Sequence, residues 1–118
     1  MSRKNGDKGY EEYKNFLLTD GTEYRLSLYP YAEEREGIWT SLERSFSTKD
    51  RDRNLSADNC AGKLHGAGWY NGCGNVNLLG KYCPPGEPCE DGKNGATGHY
   101  YQPFAGLESL KSSRMMLR

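Results

Sequence analysis

An α+β, loop-rich domain with a small antiparallel sheet and disulfide-braced loops is what this 118-residue sequence predicts, and three observations carry the prediction. Glycine is abundant (15) while Phe (3) and Trp (2) are scarce beside 9 Tyr, so the core is small and aromatic and much of the chain lies in turns. Tyr24, Leu26 and Leu28 alternate with polar residues beyond Asp20-Gly21, the pattern of a half-buried strand in a hairpin. Four cysteines in a short Gly-rich chain point to disulfides and an oxidising compartment.

Residues 1–9 are charged or small and are predicted to be a disordered segment, leaving 10–118 as the folded unit. Tyr10, Tyr13, Phe16 and Leu17 are spaced as on a helix, but Leu17 to Thr22 reads as a strand entering a turn, so the stretch is assigned to a hairpin centred on Asp20-Gly21. Ala32 to Glu43 is charged, with Ile38 and Trp39 its large apolar pair, and suits a short helix or a surface loop. From Asp50 to Gly106, Gly, Pro, Asn and Asp break every periodic run. A closing strand is expected at about Ser112 to Leu117, with Met115 and Leu117 facing inward.

The 16 basic and 16 acidic residues cancel, which argues against a nucleic-acid partner. No segment has transmembrane length or the look of a signal peptide, so membrane insertion is not expected. No nucleophile and base pair, phosphate loop or closed metal triad can be assembled, and neither His65 nor His99 lies in a nucleophile motif; an enzyme is not expected. The cysteines lack the close pairing of a zinc knuckle. Three disulfide connectivities are open, the simplest joining neighbours, Cys60 with Cys73 and Cys83 with Cys89, each worth roughly 2 to 3 kcal/mol by loop closure.

Oxygen-bearing side chains recur at every second position at Asp50, Asp52, Asn54, Ser56 and Asp58. Such spacing lets several converge on a hard cation such as calcium, and it equally makes a run of Asx and Ser/Thr turns. It is not an EF-hand, because Leu55 and Ala61 stand where that loop needs Gly and Glu. Asn54-Leu55-Ser56 is also an N-glycosylation sequon, and a glycan on the Asn54 nitrogen would crowd a metal at its oxygen.

FSTKDRDRN, NCA, the interval from Cys60 to Cys73, GWYNGC, NLLG and the terminal SLKSSRMMLR follow in the order and spacing of landmarks in the fibrinogen-related domain family. The chain resembles that family from about Tyr10 to Arg118, least well between Cys83 and Thr97, and corresponds to the C-terminal half of such a domain. The resemblance implies a Cys60–Cys73 bridge. It also implies a calcium site with Asp52 and Asn54 as side-chain ligands and the carbonyls of Ser56 and Asp58 as main-chain ligands. Asn where the family usually has Asp, with Arg51 and Arg53 nearby, implies that Ca2+ is held weakly or has been lost.

In members of the family that are lectins, the residues around the second cysteine form an acetyl-group pocket. Carried over, the N–H groups of Cys73 and Gly74 would bind the carbonyl, and Leu64, Tyr70 and Tyr100 would wall the methyl. The family's cis peptide before that cysteine would fall at Gly72-Cys73, and Gly68 and Gly74 replace its usual tryptophan and histidine. The expected function is a secreted, non-enzymatic recognition module for acetylated carbohydrate near a degenerate calcium site. The alternatives are a protein-interaction module for a receptor or peptide, and a truncated form without function. The segment from Cys83 to Cys89, with three prolines, departs from the family and is read as a brace or a pocket border.

Overall fold

The computed structural model describes residues 1–19, 21–29, 43–54, 56–90 and 96–117. In chain order these form β1 (Lys14–Leu18), β2 (Leu26–Tyr29), α1 (Cys60–Lys63), β3 (Val76–Asn77), β4 (Tyr100–Tyr101) and α2 (Gln102–Ala105). β1 and β2 make one antiparallel pair, and β3 and β4 another.

The expected hairpin is present, although Asp20 at its centre lies outside the described residues. Lys14 faces Tyr29 while Leu17 faces Ser27, so β1 carries one extra residue; Asn15 takes it up at a φ of 53°, a conformation Asn tolerates. Leu26 and Leu28 are buried as their alternation predicts, but Tyr24 is exposed at a φ of 47° and extends neither strand nor core. The segment after Glu43 packs on β2, Glu43 N–H donating to Leu26 O (2.8 Å) and Leu26 N–H to Arg44 O (3.1 Å). Apart from Glu43, the stretch Ala32 to Glu43 lies outside the described residues.

Trp69 joins this hairpin to the cysteine loop. Its indole N–H donates to Tyr24 O (2.7 Å) and its ring meets Phe46 edge-on at 5.0 Å, beside an antiparallel bridge between Ser47 and Gly68. Nearby, Ser45 Oγ donates to Glu23 (2.6 Å), holding that carboxyl below its ordinary range, and Arg53 pairs with the same group (3.4 Å).

The core of the second region is Cys60, Ala61, Leu64 and Tyr70, with Cys73 packed against it. Asn77 on β3 organises the backbone around that core. Fully buried, its Nδ2 donates to Leu64 O and Gly98 O (both 2.9 Å) and its Oδ1 accepts from the Tyr70 hydroxyl (2.9 Å). Side chains on Gly66 or Gly80 would overlap the Asn77 amide, so the backbone closes around it only with glycine at both.

Several expectations are corrected. Residues 1–9, read as disordered, are held in place: Ser2 N–H donates to Ser112 O (2.9 Å), Lys111 N–H to Ser2 O (2.9 Å), and Arg3 pairs with Glu108 (2.8 Å). Composition conceals this because the partners lie at the far end of the chain. The closing strand at Ser112 to Leu117 does not form: Ser112 bridges Ser2, no described strand continues beyond it, and Met115 and Leu117 are exposed. Nor is the spacing of Tyr10 to Leu17 a buried face, since Tyr10 is 86% exposed. Glu11 instead fixes this segment, accepting hydrogen bonds from the hydroxyls of Tyr13 and Tyr101.

Cys83 and Cys89 are joined, and their loop is fastened to the chain end by Gly86 N–H to Ser109 O (3.1 Å) and Ser109 N–H to Glu87 O (2.9 Å). That is the bracing role. Residues 91–95 lie outside the described residues, and Thr97 and His99 beyond them are buried.

Candidate ligand-binding site

Two adjoining stretches carry the expected site. The first runs from Thr48 to α1. Thr48 Oγ1 donates to Asp50 (2.7 Å) and keeps that carboxyl below its usual range. Asn54 N–H donates to Asp52 Oδ1 (3.3 Å), Ser56 N–H to Asn54 Oδ1 (2.6 Å) and Asp58 N–H to Ser56 Oγ (3.2 Å). This is a staircase of Asx and Ser turns, each side chain bonding the backbone two residues on. Asn59 finishes it by capping α1, its Oδ1 accepting from Gly62 N–H (2.9 Å) while its Nδ2 donates to Lys49 O (2.8 Å).

Asp52, Asn54 and Asp58 do converge, but on a nitrogen. Asn54 Nδ2 donates to the Asp52 carboxylate and to Asp58 O (3.1 Å). The amide donor stands where two of the expected oxygen ligands meet, and the amide oxygen is engaged with Ser56 N–H, which fixes its orientation. The Asp58 carboxylate turns outward to Lys63 (3.3 Å). Among the described residues no three His, Cys, Asp or Glu side chains group as a metal site. In this arrangement the donor set does not fit calcium, because the Asn54 amide must turn away before a cation reaches the oxygens.

The second stretch is the turn from Asn71 to Gly74. Cys60 and Cys73 are joined as expected. Both peptide planes around Cys73 are trans: the expected cis bond at Gly72-Cys73 is absent, and Gly72 (φ 59°) and Cys73 (φ 65°) instead reverse the chain through two consecutive left-handed residues. The Cys73 N–H makes no hydrogen bond with a described residue, while the Gly74 N–H faces Asn71 O across the turn. Tyr100 lies alongside, its hydroxyl donating to Gly74 O (3.3 Å).

The expected apolar wall is only partly in place. Leu64 and Tyr70 belong to the buried core, and Tyr100 is itself 2% exposed, so these rings and methyls support the turn from beneath. Burial, with Tyr100 nearby, pushes the Tyr70 hydroxyl above the ordinary tyrosine range and keeps it a donor to Asn77. Asn77 is not among the residues singled out from the sequence; its one signal is a polar residue at the centre of Val76-Asn77-Leu78.

Two clefts lie to the side. One is apolar, lined by Gly68, Trp69, Val76, Leu78, Leu79 and Met115. The other, about 320 Å³ and open, is bordered by Tyr82, His99, Lys111 and Ser113, with His99 Nε2 and Ser113 Oγ 2.7 Å apart. Burial holds the His99 imidazole below its ordinary pKa, against an opposing effect of the Leu110 backbone and with a smaller push from the N-terminal ammonium in the same direction.

The family model for the C-terminal globular domain of fibrinogen beta and gamma chains matches residues 1–118 and so takes in the first nine residues. Angiopoietin-4 of Bos taurus is 34% identical over 116 residues, covering 96% of this chain and 23% of that protein. Ficolin-3 of Homo sapiens is 40% identical over 81 residues, covering 66% of this chain and 27% of that one. The fibrinogen-like globe domain of human ANGPTL2 superposes with a TM-score of 0.83 at 31% identity, over 94% of this chain and 51% of that chain. That of human ANGPTL6 gives 0.81 at 29%, over 93% and 50%. The chain thus spans about a quarter of these curated relatives and about half of the solved domains. It belongs to the fibrinogen C-terminal globular domain family.

Proposed function

We propose that this chain is a non-enzymatic extracellular recognition module whose turn at Cys73-Gly74 binds an acetylated sugar or a similar acetylated group. The supporting observation is the Cys73 N–H, which makes no hydrogen bond with a described residue and sits next to the Gly74 N–H on a disulfide-held turn beside Tyr100. Two adjacent donors suit one carbonyl oxygen. The two disulfides support an extracellular setting. Calcium binds weakly on this reading, since a cation must displace the Asn54 amide from Asp52 and Asp58.

The test is retention on an immobilised N-acetylated sugar and on its deacetylated counterpart, each with and without a chelator. The expected result is retention on the acetylated resin alone, little changed by chelation. Equal retention on both would favour a protein-interaction module. That second reading draws on the exposed Leu79 and Met115 beside the apolar cleft and on the burial of Leu64 and Tyr70 away from solvent.

A further inference from the structure

Two Asn-Gly pairs fall within the described residues, Asn5-Gly6 and Asn71-Gly72, and the fold treats them differently. An asparagine before glycine is open to attack on its own side chain by the next backbone nitrogen, because glycine has no Cβ to obstruct the approach. At Asn5 the reacting groups are held. Its Oδ1 accepts from Asp7 N–H (2.9 Å), its Nδ2 donates to Asp7 (3.0 Å), and Gly6 N–H donates to Arg3 O (3.2 Å).

At Asn71 nothing holds them. Its side chain and the Gly72 N–H make no hydrogen bond with a described residue, and both residues are exposed. A Cβ built on Gly72 would meet nothing within 4 Å, so the space needed for ring closure is open.

We infer that Asn71 is a site of non-enzymatic deamidation, a self-modification that places a new carboxylate beside Cys73. The Gly72 backbone nitrogen bonds to Asn71 Cγ and the Cγ–Nδ2 bond breaks. The nitrogen's proton leaves with the departing amine as ammonia, giving a cyclic imide. Water then opens the ring at either carbonyl, leaving aspartate or isoaspartate. No oxidant or reductant takes part. The new negative charge lies two residues before Cys73 and three before Gly74, where it repels a ligand carbonyl oxygen and competes for the N–H groups of the turn. This consequence for binding rests on the proposed function; the modification does not.

The test is incubation of the whole folded chain near neutral pH, with peptide mapping by mass spectrometry and an isoaspartate assay, in parallel with a urea-unfolded sample. Conversion at Asn71 is expected to outpace that at Asn5 by about tenfold in the folded chain, the factor to which opening the three hydrogen bonds at Asn5-Gly6 together amounts. The two rates should approach each other in urea. Comparable rates in the folded chain, or protection of Asn71 relative to urea, would overturn the assignment. In a second arm, aged chain is expected to lose retention on the N-acetylated resin while aged Asn71→Gln keeps it. If fresh chain is not retained at all, the binding reading fails while the mass measurement still decides the modification.

Discussion

The loop from Thr48 to Lys63 and the turn from Asn71 to Gly74 lie on either side of one disulfide, yet they treat their backbone polar groups in opposite ways. In the loop, the side chains of Asp50, Asn54, Ser56 and Asn59 take up donors and acceptors of the same stretch, at Thr48, Asp58 and Gly62. In the turn, the backbone is left-handed at Gly72 and Cys73, and the Cys73 N–H makes no hydrogen bond with a described residue. A self-satisfied polar loop is stable without a ligand and has little to offer one. Unpaired donors on a braced turn are where a ligand gains most.

The strongest way to break the comparison is to remove what keeps the turn braced. Asn77→Ala leaves Leu64 O and Gly98 O without their donor and Tyr70 without its acceptor, and is expected to cost roughly 4 kcal/mol, read from urea unfolding. Loop and turn should then unfold together at lower denaturant. A cost below about 1 kcal/mol would mean that Asn77 is not their common support.

Asn54→Asp should turn the closed loop into an open one. It deletes the donor to Asp52 and Asp58 O and sets two carboxylates side by side, for a loss of about 1 to 2 kcal/mol in the absence of metal. Millimolar calcium should restore that loss and raise the melting temperature of the variant more than that of the unaltered chain. Equal shifts in the two would show that the Asn54 amide does not exclude the cation.

Tyr100→Phe sharpens the comparison from the side of the turn. Losing the hydrogen bond to Gly74 O costs about 1 kcal/mol or less, but should weaken retention on an acetylated ligand several-fold by loosening the donor next to it. Unchanged retention with lowered stability would leave the hydroxyl a purely structural role.

The smallest expected effect is a pH dependence away from both stretches. The folded pKa of His99 is depressed, so between that value and the unfolded value of about 6.5 the unfolded chain binds more protons, and stability falls as pH drops through this window. His99→Gln should flatten that part of the profile in thermal melts. A slope that survives the substitution would assign it to another group.

How much of this was legible in the sequence follows the distance between partners. The hairpin was readable because Leu26 and Leu28 alternate next to their own turn, and neighbour pairing of the cysteines was the simplest of three choices. The oxygen staircase was readable as two alternatives, and only the position of Asn54 Nδ2 favours turns over ligands. Leu64 and Tyr70, expected to wall a pocket near the second cysteine, lie in the buried core against which Cys73 packs, and residue type does not say which face is wet. Asn77 was invisible, since its value lies in reaching carbonyls 13 and 21 residues away.

The pairing of Ser2 with Ser112 and of Arg3 with Glu108 also sets a schedule for how the chain comes to be structured during synthesis. Residues 1–9 precede these partners by more than a hundred positions, so they are made well before them. Until then the opening segment has nothing to bind, whereas the Cys83–Cys89 loop needs only its own short stretch to close. Of these two segments, the one made earlier is therefore the one fastened later.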